Sequence, residues 1–165
     1  MQNSQDRRDE LNARLKEKLL QHCRGNCNLL TAIEGFHLVR REVQEQPGNC
    51  FEKPLAGLVI QGTKHSLIGG KEYVYTENQS IVAGVDMPIA SYITDPTPEN
   101  PFLFLYLYLN RETLTDLSAK MGEIPEGEEE ETDTGLTVAD TDEDVMEMFL
   151  RLMELLDKPE QISVR

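Results

Sequence analysis

Five strand-like runs occupy the chain between Pro54 and Asn110, separated by short groups of Gly, Pro, Asn and Asp. In order they are LAGLVIQG, KHSLI, KEYVYTE, QSIVAG with MPIASYIT, and FLFLYLYLN. Short strands at such close spacing predict a compact antiparallel sandwich or barrel. The runs contain almost no side chains suited to acid, base or metal chemistry. The pattern therefore favours a module that binds a small molecule over one that transforms it.

The best-defined local feature is a hairpin between KHSLI and KEYVYT, which are separated only by Gly69 and Gly70. Two glycines supply the positive φ angles of a type I′ turn. Such a turn predicts three cross-strand pairs: Ile68 with Lys71, Ser66 with Tyr73, and Lys64 with Tyr75. We expect the inward face to carry Ser66, Ile68, Tyr73 and Tyr75, and the outward face to carry His65, Leu67, Glu72 and Val74.

The last run, FLFLYLYLN, is apolar on both of its faces. Its two alternating sets are Leu103, Leu105, Leu107 and Leu109, and Phe102, Phe104, Tyr106 and Tyr108. A strand with two apolar faces is expected to be covered on both sides. One face then meets the barrel interior, and the other meets a helix, a partner subunit or a further domain.

The N-terminal segment predicts an amphipathic helix over about 5–23. Its apolar residues recur at i+4 spacing on one face, as Leu11, Leu15 and Leu19. Gly25 and Asn26 tolerate the left-handed conformation of a helix C-terminal cap, so we expect the helix to end there.

The segment FHLVRREV (36–43) alternates apolar and polar residues. It therefore predicts a half-buried first strand of the sheet. Pro47, Gly48 and Asn49 follow, and these residues predict a break in the chain.

A second amphipathic helix is predicted at 141–158. Asp140 is expected to cap it, with Glu143 at N3 as in a capping box, and Pro159 is expected to end it. Its apolar stripe consists of Val145, Met148, Phe149, Leu152, Leu155 and Leu156. The stripe either packs only on the chain's own barrel or also meets the same helix of a second subunit. The homodimer interface predicted in the second case consists of Val145, Phe149, Leu152 and Leu156.

Composition bounds the class of protein and its partners. The chain has 165 residues, which predicts one domain, and no apolar run is long enough to span a membrane. A charged N-terminus unlike a signal peptide and only three cysteines predict a cytoplasmic protein. The net charge of −14 opposes DNA binding by this chain itself. Seven of the negative charges lie in 122–135, which predicts a solvated acidic loop.

Candidate catalytic and metal-binding residues are few. His22, His37 and His65 lie in three different elements and form no His-x-His pair, so no metal or other cofactor is predicted. Cys23 and Cys27, next to His22, indicate either reduced thiols at a helix end or half of a zinc or redox site. No nucleophile elbow supports a Ser-His-Asp triad, and no catalytic residue is assigned.

Several polar groups lie within the apolar runs: Gln61, Ser66, Tyr73, Tyr75, Asp86, Tyr92 and Tyr106. Ligand pockets are mostly apolar cavities with a few polar groups aimed inward. The same residues also occur at ordinary strand positions, where tyrosine is favoured. If the barrel holds a pocket, the predicted ligand-binding residues are Gln61, Ser66, Tyr75, Tyr92 and Tyr106.

Four sequence motifs occur in a defined order and spacing. Together they are more specific to one protein family than any single motif. They are Pro54 through VIQG-x-K (59–64), the glycine-turn hairpin ending in Tyr73-x-Tyr75, Val85-Asp86-Met87-Pro88, and Glu99-Asn100-Pro101-Phe102. Over about 35–117 the chain resembles the N-terminal domain of one branch of AraC/XylS-type bacterial transcriptional regulators. The resemblance implies a mainly β, cupin-like antiparallel jelly-roll barrel with flanking helices. It supplies no catalytic or metal-binding motif.

The same resemblance implies a domain that senses a small-molecule effector or mediates dimerisation. DNA would be bound by a C-terminal helix-turn-helix half, which we expect to be absent from this chain because no recognition helix with a basic flank is present. The leading hypothesis is therefore the sensing and dimerising domain of a regulator, and not an enzyme. The alternatives are a stand-alone metal-dependent cupin isomerase or dioxygenase, and a barrel without a ligand that serves only for dimerisation.

Overall fold

The computed structural model describes residues 2–44, 48–84, 87–110, 112 and 135–162. Within these ranges, two α-helices bracket ten strands, and a 3-10 turn follows the second helix. The helices are α1 (Gln2–His22) and α2 (Glu143–Leu156), and the turn is Pro159–Gln161. The strands are β1 (Cys27–Leu30), β2 (Phe36–Arg41), β3 (Gly48–Glu52), β4 (Leu55–Gln61), β5 (Thr63–Ile68), β6 (Lys71–Thr76), β7 (Gln79–Ala83), β8 (Met87–Ile93), β9 (Phe102–Tyr108) and β10 (Leu136–Asp140).

The strands form two sheets in which every neighbouring pair is antiparallel. One sheet has six strands in the order β1-β2-β9-β4-β7-β10, and the other has four in the order β3-β8-β5-β6. Apolar side chains from both sheets, such as Phe104 of β9 and Ile89 of β8, form one buried cluster between them. The predicted mainly β, cupin-like jelly roll is confirmed.

The glycine-turn hairpin is confirmed in its register and its faces. All three predicted cross-strand pairs are present between β5 and β6. Gly69 and Gly70 have φ angles of 56° and 81°, as a type I′ turn requires. Ser66, Ile68 and Tyr75 are buried, whereas the outward residues Leu67, Glu72 and Val74 are exposed.

β9 is covered on both faces, as its sequence predicts. Leu103 and Leu105 belong to an apolar cluster shared with α1 and α2, whereas Phe102 and Phe104 belong to the cluster between the sheets. Its neighbour β2 has the same arrangement, with Phe36 and Leu38 towards the helices and Val39 towards the barrel interior. The sequence predicted a cover for the second apolar face without identifying it, and the structure shows that this cover is the pair of helices.

The two helices pack together on the outer face of the six-stranded sheet. α1 contributes three fully buried residues at the predicted spacing, Leu11, Leu15 and Leu19. From α2, Phe149 stacks on Phe36 of β2 with 6.3 Å between the ring centroids. Asn12 Nδ2 on α1 donates a hydrogen bond to the carbonyl oxygen of Ile60 at 2.9 Å. Neither helix in the described ranges combines the length and apolarity needed to span a bilayer.

Three edge strands depart from the sequence prediction. β1 precedes the predicted first strand, and β10 follows the acidic stretch. β3 begins at Gly48, so the predicted break at Gly48 and Asn49 is wrong. All three lie at sheet edges, where a strand pairs on one side only. These short segments have no strong strand pattern of their own. They become strands because a neighbouring strand pairs with each of them. Most of the predicted acidic loop at 122–135 lies outside the described residues.

The start of α2 and its buried face also differ from the prediction. The N-cap is Asp142, whose carboxylate accepts a hydrogen bond from the backbone N–H of Val145 at 2.9 Å. Asp140 is not the cap, because it still belongs to β10. The fully buried face consists of Met146, Phe149, Leu150 and Met153. The predicted stripe shares only Phe149 with this face, and its remaining residues lie towards the rim of the helix–sheet contact.

Gly57 of β4 provides a direct test of packing inside the barrel. A Cβ atom at this position would overlap the ring of Phe104 and would also meet Ile81 at 3.3 Å. We expect Gly57→Ala to lower the free energy of unfolding by about 1–3 kcal/mol, because the ring must move within a packed interior. Urea denaturation measures the change.

The matched control is Gly84→Ala, where a new Cβ has no neighbour within 4 Å. We expect this control to be nearly neutral, and a Phe104→Leu change to reduce the cost of Gly57→Ala. Equal effects of the two glycine substitutions would contradict the packing explanation.

Candidate ligand-binding cavity

A cavity of about 460 Å³ lies between the two sheets. Its wall includes Val39, Phe102, Phe104, Ile81 and Ala83 from the six-stranded sheet, and Ser66, Tyr75, Ile89 and Ser91 from the four-stranded sheet. Cavities that hold small molecules usually measure about 300–1,000 Å³ and are mainly apolar. The jelly roll therefore has, between its sheets, a cavity of the size that a small ligand requires, with both apolar and polar side chains in its wall.

The aromatic part of the wall comes from alternate residues of β9. The rings of Phe102 and Phe104 lie with centroids 6.0 Å apart, and those of Phe104 and Tyr106 lie 5.7 Å apart. Gly57 on the adjacent strand leaves the space into which the Phe104 ring extends. The result is a continuous row of aromatic side chains along one side of the cavity.

Hydroxyl groups lie on the facing sheet. Ser66 Oγ and Tyr75 OH are hydrogen-bonded at 2.7 Å, and the two residues are only 1% and 2% exposed. Ser91 is the cross-strand neighbour of Ser66 and also lines the cavity. Of the predicted ligand-binding residues, Ser66, Tyr75, Tyr92 and Tyr106 line the cavity, and Gln61 does not.

Two cationic residues, Arg41 of β2 and Lys64 of β5, also line the cavity. Arg41 Nη1 donates to the carbonyl oxygen of Arg40 at 3.3 Å. Lys64 Nζ lies 5.5 Å from the centroid of the Phe104 ring, a cation–π contact. Positive charge is thus present at the wall from both sheets.

Two of the predicted ligand-binding residues, Gln61 and Tyr92, use their polar groups in hydrogen bonds to other parts of the chain. Gln61 lies at a register shift of β4, and its Nε2 donates to the carbonyl oxygen of Pro101 at 2.8 Å. Tyr92 borders the cavity, but its ring stacks on His65 of the outward hairpin face and its hydroxyl donates to Glu72 at 2.7 Å. The hydroxyl of Tyr92 is thus hydrogen-bonded on the outer side of the sheet, although the residue also lines the cavity. The further candidate Asp86 lies outside the described residues.

His65, Glu72, Tyr92 and Thr94 form a polar cluster on the outer face of the four-stranded sheet. His65 Nδ1 lies 3.0 Å from Glu72 Oε1, and its Nε2 lies 2.8 Å from Thr94 Oγ1. Hydrogen bonds from Tyr92 and His65 lower the pKa of Glu72, and the same bond to Glu72 raises the pKa of Tyr92. The sequence placed His65 and Glu72 together on this outward face, and that placement is confirmed.

Of the other two histidines, His22 lies on the helix side of the sheet, whereas His37 packs against Tyr106 and Tyr108 of the cavity wall. His22 Nε2 is 3.0 Å from Asp157, on the helix side of the sheet. His37 stacks on Tyr106 at 4.7 Å, and burial lowers its pKa. In the ranges that the structure describes, no three His, Cys, Asp or Glu side chains are placed to hold a metal ion.

Cys23 is a fully buried thiol at the end of α1. Burial, together with a hydrogen bond to the neighbouring Cys27 that favours the protonated thiol, raises the pKa of Cys23 to about 12. Reactive cysteines instead have a lowered pKa and are accessible to solvent. The surroundings of Cys23 are thus those of a protonated core thiol.

The residues predicted for a homodimer interface differ in their exposure. Phe149 is 1% exposed and stacks on Phe36 within the chain. Val145, Leu152 and Leu156 are partly buried at the edge of the helix cluster. Three of the four predicted residues therefore retain apolar surface that a second subunit can reach.

Sequence reasoning missed Arg41, Lys64 and Ser91 as cavity residues. The signal for Lys64 was present, because its predicted pairing with Tyr75 places it on the inward face of the hairpin. Arg41 follows Val39 by two residues in the strand FHLVRR and so faces the same side. Their charge argued against an inward position, because a charged residue in a strand is usually exposed.

The chain was compared with known proteins. A family model described as "AraC-type transcriptional regulator N-terminus" matches residues 32–165. A search of the curated protein sequences gave no match. Fold comparison gave ToxT from Vibrio cholerae O395, with a TM-score of 0.45 and 8% identity over 80% of this chain and 48% of that one. The chain thus spans about half the length of ToxT.

Two further structures are similar over the barrel. Protein NMB1881 from Neisseria meningitidis has a TM-score of 0.43 and 15% identity, over 58% of this chain and 96% of that one. A cupin-2 domain containing protein from Shewanella frigidimarina NCIMB 400 has a TM-score of 0.40 and 10% identity, over 57% of this chain and 91% of that one.

The Ser66–Tyr75 hydrogen bond yields a prediction about the cavity wall. We expect Tyr75→Phe to lower the free energy of unfolding by about 1–3 kcal/mol, because it leaves the buried Ser66 hydroxyl without this partner. The double variant Ser66→Ala/Tyr75→Phe should cost less than the sum of the two single variants. Urea denaturation of all four proteins measures the coupling, and strictly additive effects would contradict it.

Proposed function

The chain belongs to the family of AraC-type transcriptional regulator N-terminal domains, and on this basis we propose that its barrel senses a small-molecule effector. The observation that carries the proposal is the 460 Å³ cavity, which combines an aromatic wall with buried hydroxyls and two cations. The proposed ligand contacts are Ser66, Tyr75 and Tyr106, together with Arg41 and Lys64.

The central strands provide a route from the cavity to the helices. In β2, Val39 and Arg41 face the cavity while Phe36 and Leu38 face the helices. In β9, Phe102 and Phe104 face the cavity while Leu103 and Leu105 face the helices. Only one layer of backbone therefore separates a bound effector from α1 and α2.

The proposed mechanism is a shift between two arrangements of barrel and helices. An effector biases the equilibrium only by binding one arrangement more tightly than the other. Tight packing on both faces of β2 favours this coupling, because a displacement of the strand at the cavity also moves Phe36 against Phe149. The state of the helices then becomes the output of the domain.

In this proposal the domain binds its effector without transforming it. The described part of the cavity wall presents hydroxyls, cations and aromatic rings, and His37 next to it stacks on Tyr106 and Tyr108. DNA contact is assigned to a separate helix-turn-helix half of the regulator. A net charge of −14 supports this division, because it opposes approach of this chain to a phosphate backbone.

Filling the cavity tests the sensing role. Thermal denaturation with a panel of sugars, aromatic compounds and carboxylates is expected to identify a stabilising compound. At 100 times its Kd, such a compound adds about 2.7 kcal/mol to the free energy of unfolding. We expect Ala83→Leu to abolish this stabilisation, because Ala83 is buried at the cavity wall and the added atoms occupy the ligand space.

The control is Val82→Leu on the same strand, where the side chain points outward and is 44% exposed. This variant should bind as the wild type does. Stabilisation that persists in Ala83→Leu would place the ligand outside the barrel and contradict the proposed site.

We further propose that α2 mediates homodimerisation through its partly exposed apolar side. Met148 is 43% exposed, and Val145 and Leu152 border it at helical spacing. A carboxylate at the centre of such an interface is strongly unfavourable. Met148→Glu and Leu152→Glu should therefore weaken the dimer at least about tenfold, a loss of about 1.4 kcal/mol. Light scattering over a dilution series measures the change.

The control is Arg151→Glu, which adds the same carboxylate at an exposed position of the same helix. Phe149→Asp is unsuitable for this test, because Phe149 is in the chain's own core and its loss destabilises the fold. An unchanged dimer in both Met148→Glu and Leu152→Glu would rule out α2 as the interface.

A further inference from the structure

The cavity wall carries two cations, Arg41 and Lys64, that form no ion pair within the described part of the chain. The chain has 30 acidic and 16 basic residues, and Arg7, Arg14, Lys18 and Arg40 each form an ion pair. Among the residues that the structure describes, no carboxylate lies within ion-pair distance of Arg41 or Lys64. Both of these residues line the same cavity.

Arg41 and Lys64 are half-buried, so a ligand that covers them removes water from two cations and must itself neutralise them. The one hydrogen bond of Arg41 to a carbonyl oxygen leaves most of its guanidinium donors available to a ligand. Lys64 contacts the face of Phe104, which favours a cation but satisfies none of its hydrogen-bond donors. Both groups are thus suited to an anion that enters from outside the chain.

The two cations lie beside adjacent aromatic rings. Arg41 is the cross-strand partner of Phe102, and Lys64 lies over Phe104. Because the two rings are 6.0 Å apart, the charged groups approach the same stretch of β9 from opposite sheets. From this arrangement we infer that the effector is an organic carboxylate, with its carboxylate between Arg41 and Lys64 and its apolar body against the aromatic wall.

The choice of a carboxylate follows from the donors. A guanidinium presents parallel N–H groups that match the two oxygens of a carboxylate. The hydroxyls of Ser66 and Ser91 lie on the same wall as Lys64 and provide further donors. This inference rests on the proposed function, since it names the chemical class of the effector for the same cavity.

Matched acids and amides test the inference, because the members of each pair differ mainly in charge. The probes are benzoate with benzamide, 4-phenylbutyrate with 4-phenylbutyramide, and octanoate with octanamide. Calorimetry and thermal denaturation are carried out on the wild type, Arg41→Met, Lys64→Met and the control Lys71→Met. Lys71 lies at the exposed tip of the hairpin, outside the cavity wall.

We expect at least one acid to bind the wild type at least about tenfold more tightly than its amide. Arg41→Met and Lys64→Met should each reduce that preference to near one, and Lys71→Met should preserve it. Without ligand, the Met variants at 41 and 64 should melt close to the wild type, because both side chains are half-buried and methionine keeps their apolar contacts with the wall. Misfolding is thereby separated from loss of the anion site.

The remaining outcomes separate this inference from the proposed function. Amides or other neutral compounds that bind as well as acids, and that Ala83→Leu blocks, would overturn the carboxylate and leave effector sensing intact. Acid binding that survives both Met substitutions would overturn the assigned cations. If no acid, amide or neutral compound stabilises the wild type, both the inference and the sensing role fail.

Discussion

The structure depends on two central strands, β2 and β9, whose residues are buried on both faces. Alternation sends one set of side chains to the barrel interior and the other to α1 and α2. A slip of either strand by one residue would exchange these sets and place Arg41 and Tyr106 against the helices. The register is therefore strongly fixed. Cavity, sheet and helices form one packed body, in which a change at the cavity wall reaches the helices through shared strands.

Where the sequence predicted the fold well, the local signal and the tertiary requirement agreed. Gly69 and Gly70 set the hairpin register by backbone geometry alone, and the two apolar faces of β9 required cover on both sides. Where prediction failed, partners outside the segment decided the outcome. Leu136–Asp140 is a strand because β7 offers an edge to pair with, and this pairing keeps Asp140 from capping α2.

The same contrast between local signals and tertiary partners applies to the cavity residues. Ser66 and Tyr75 could be placed inward because the hairpin turn fixes their faces. Tyr92 could not, since the facing of β8 depends on its pairing with β5, which sets Tyr92 opposite His65 on the outside. Arg41 and Lys64 were missed because charge in a sequence normally indicates exposure. Alternation in a paired strand outweighs that tendency, and it directs both cations to the interior.

The charge distribution assigns separate roles to the surface and the interior. Most acidic side chains that the structure describes are exposed, where salt screens their field over about 8 Å at physiological ionic strength. In the inferred anion site, Arg41 and Lys64 lie at a cavity wall less polar than water, where an ion pair is stronger than at the surface. In the proposed function, the local charge selects the effector, while the acidic surface opposes contact between the sensing domain and DNA. In this inference, recognition of an anion depends on the positions of two cations, although the net charge of the protein is negative.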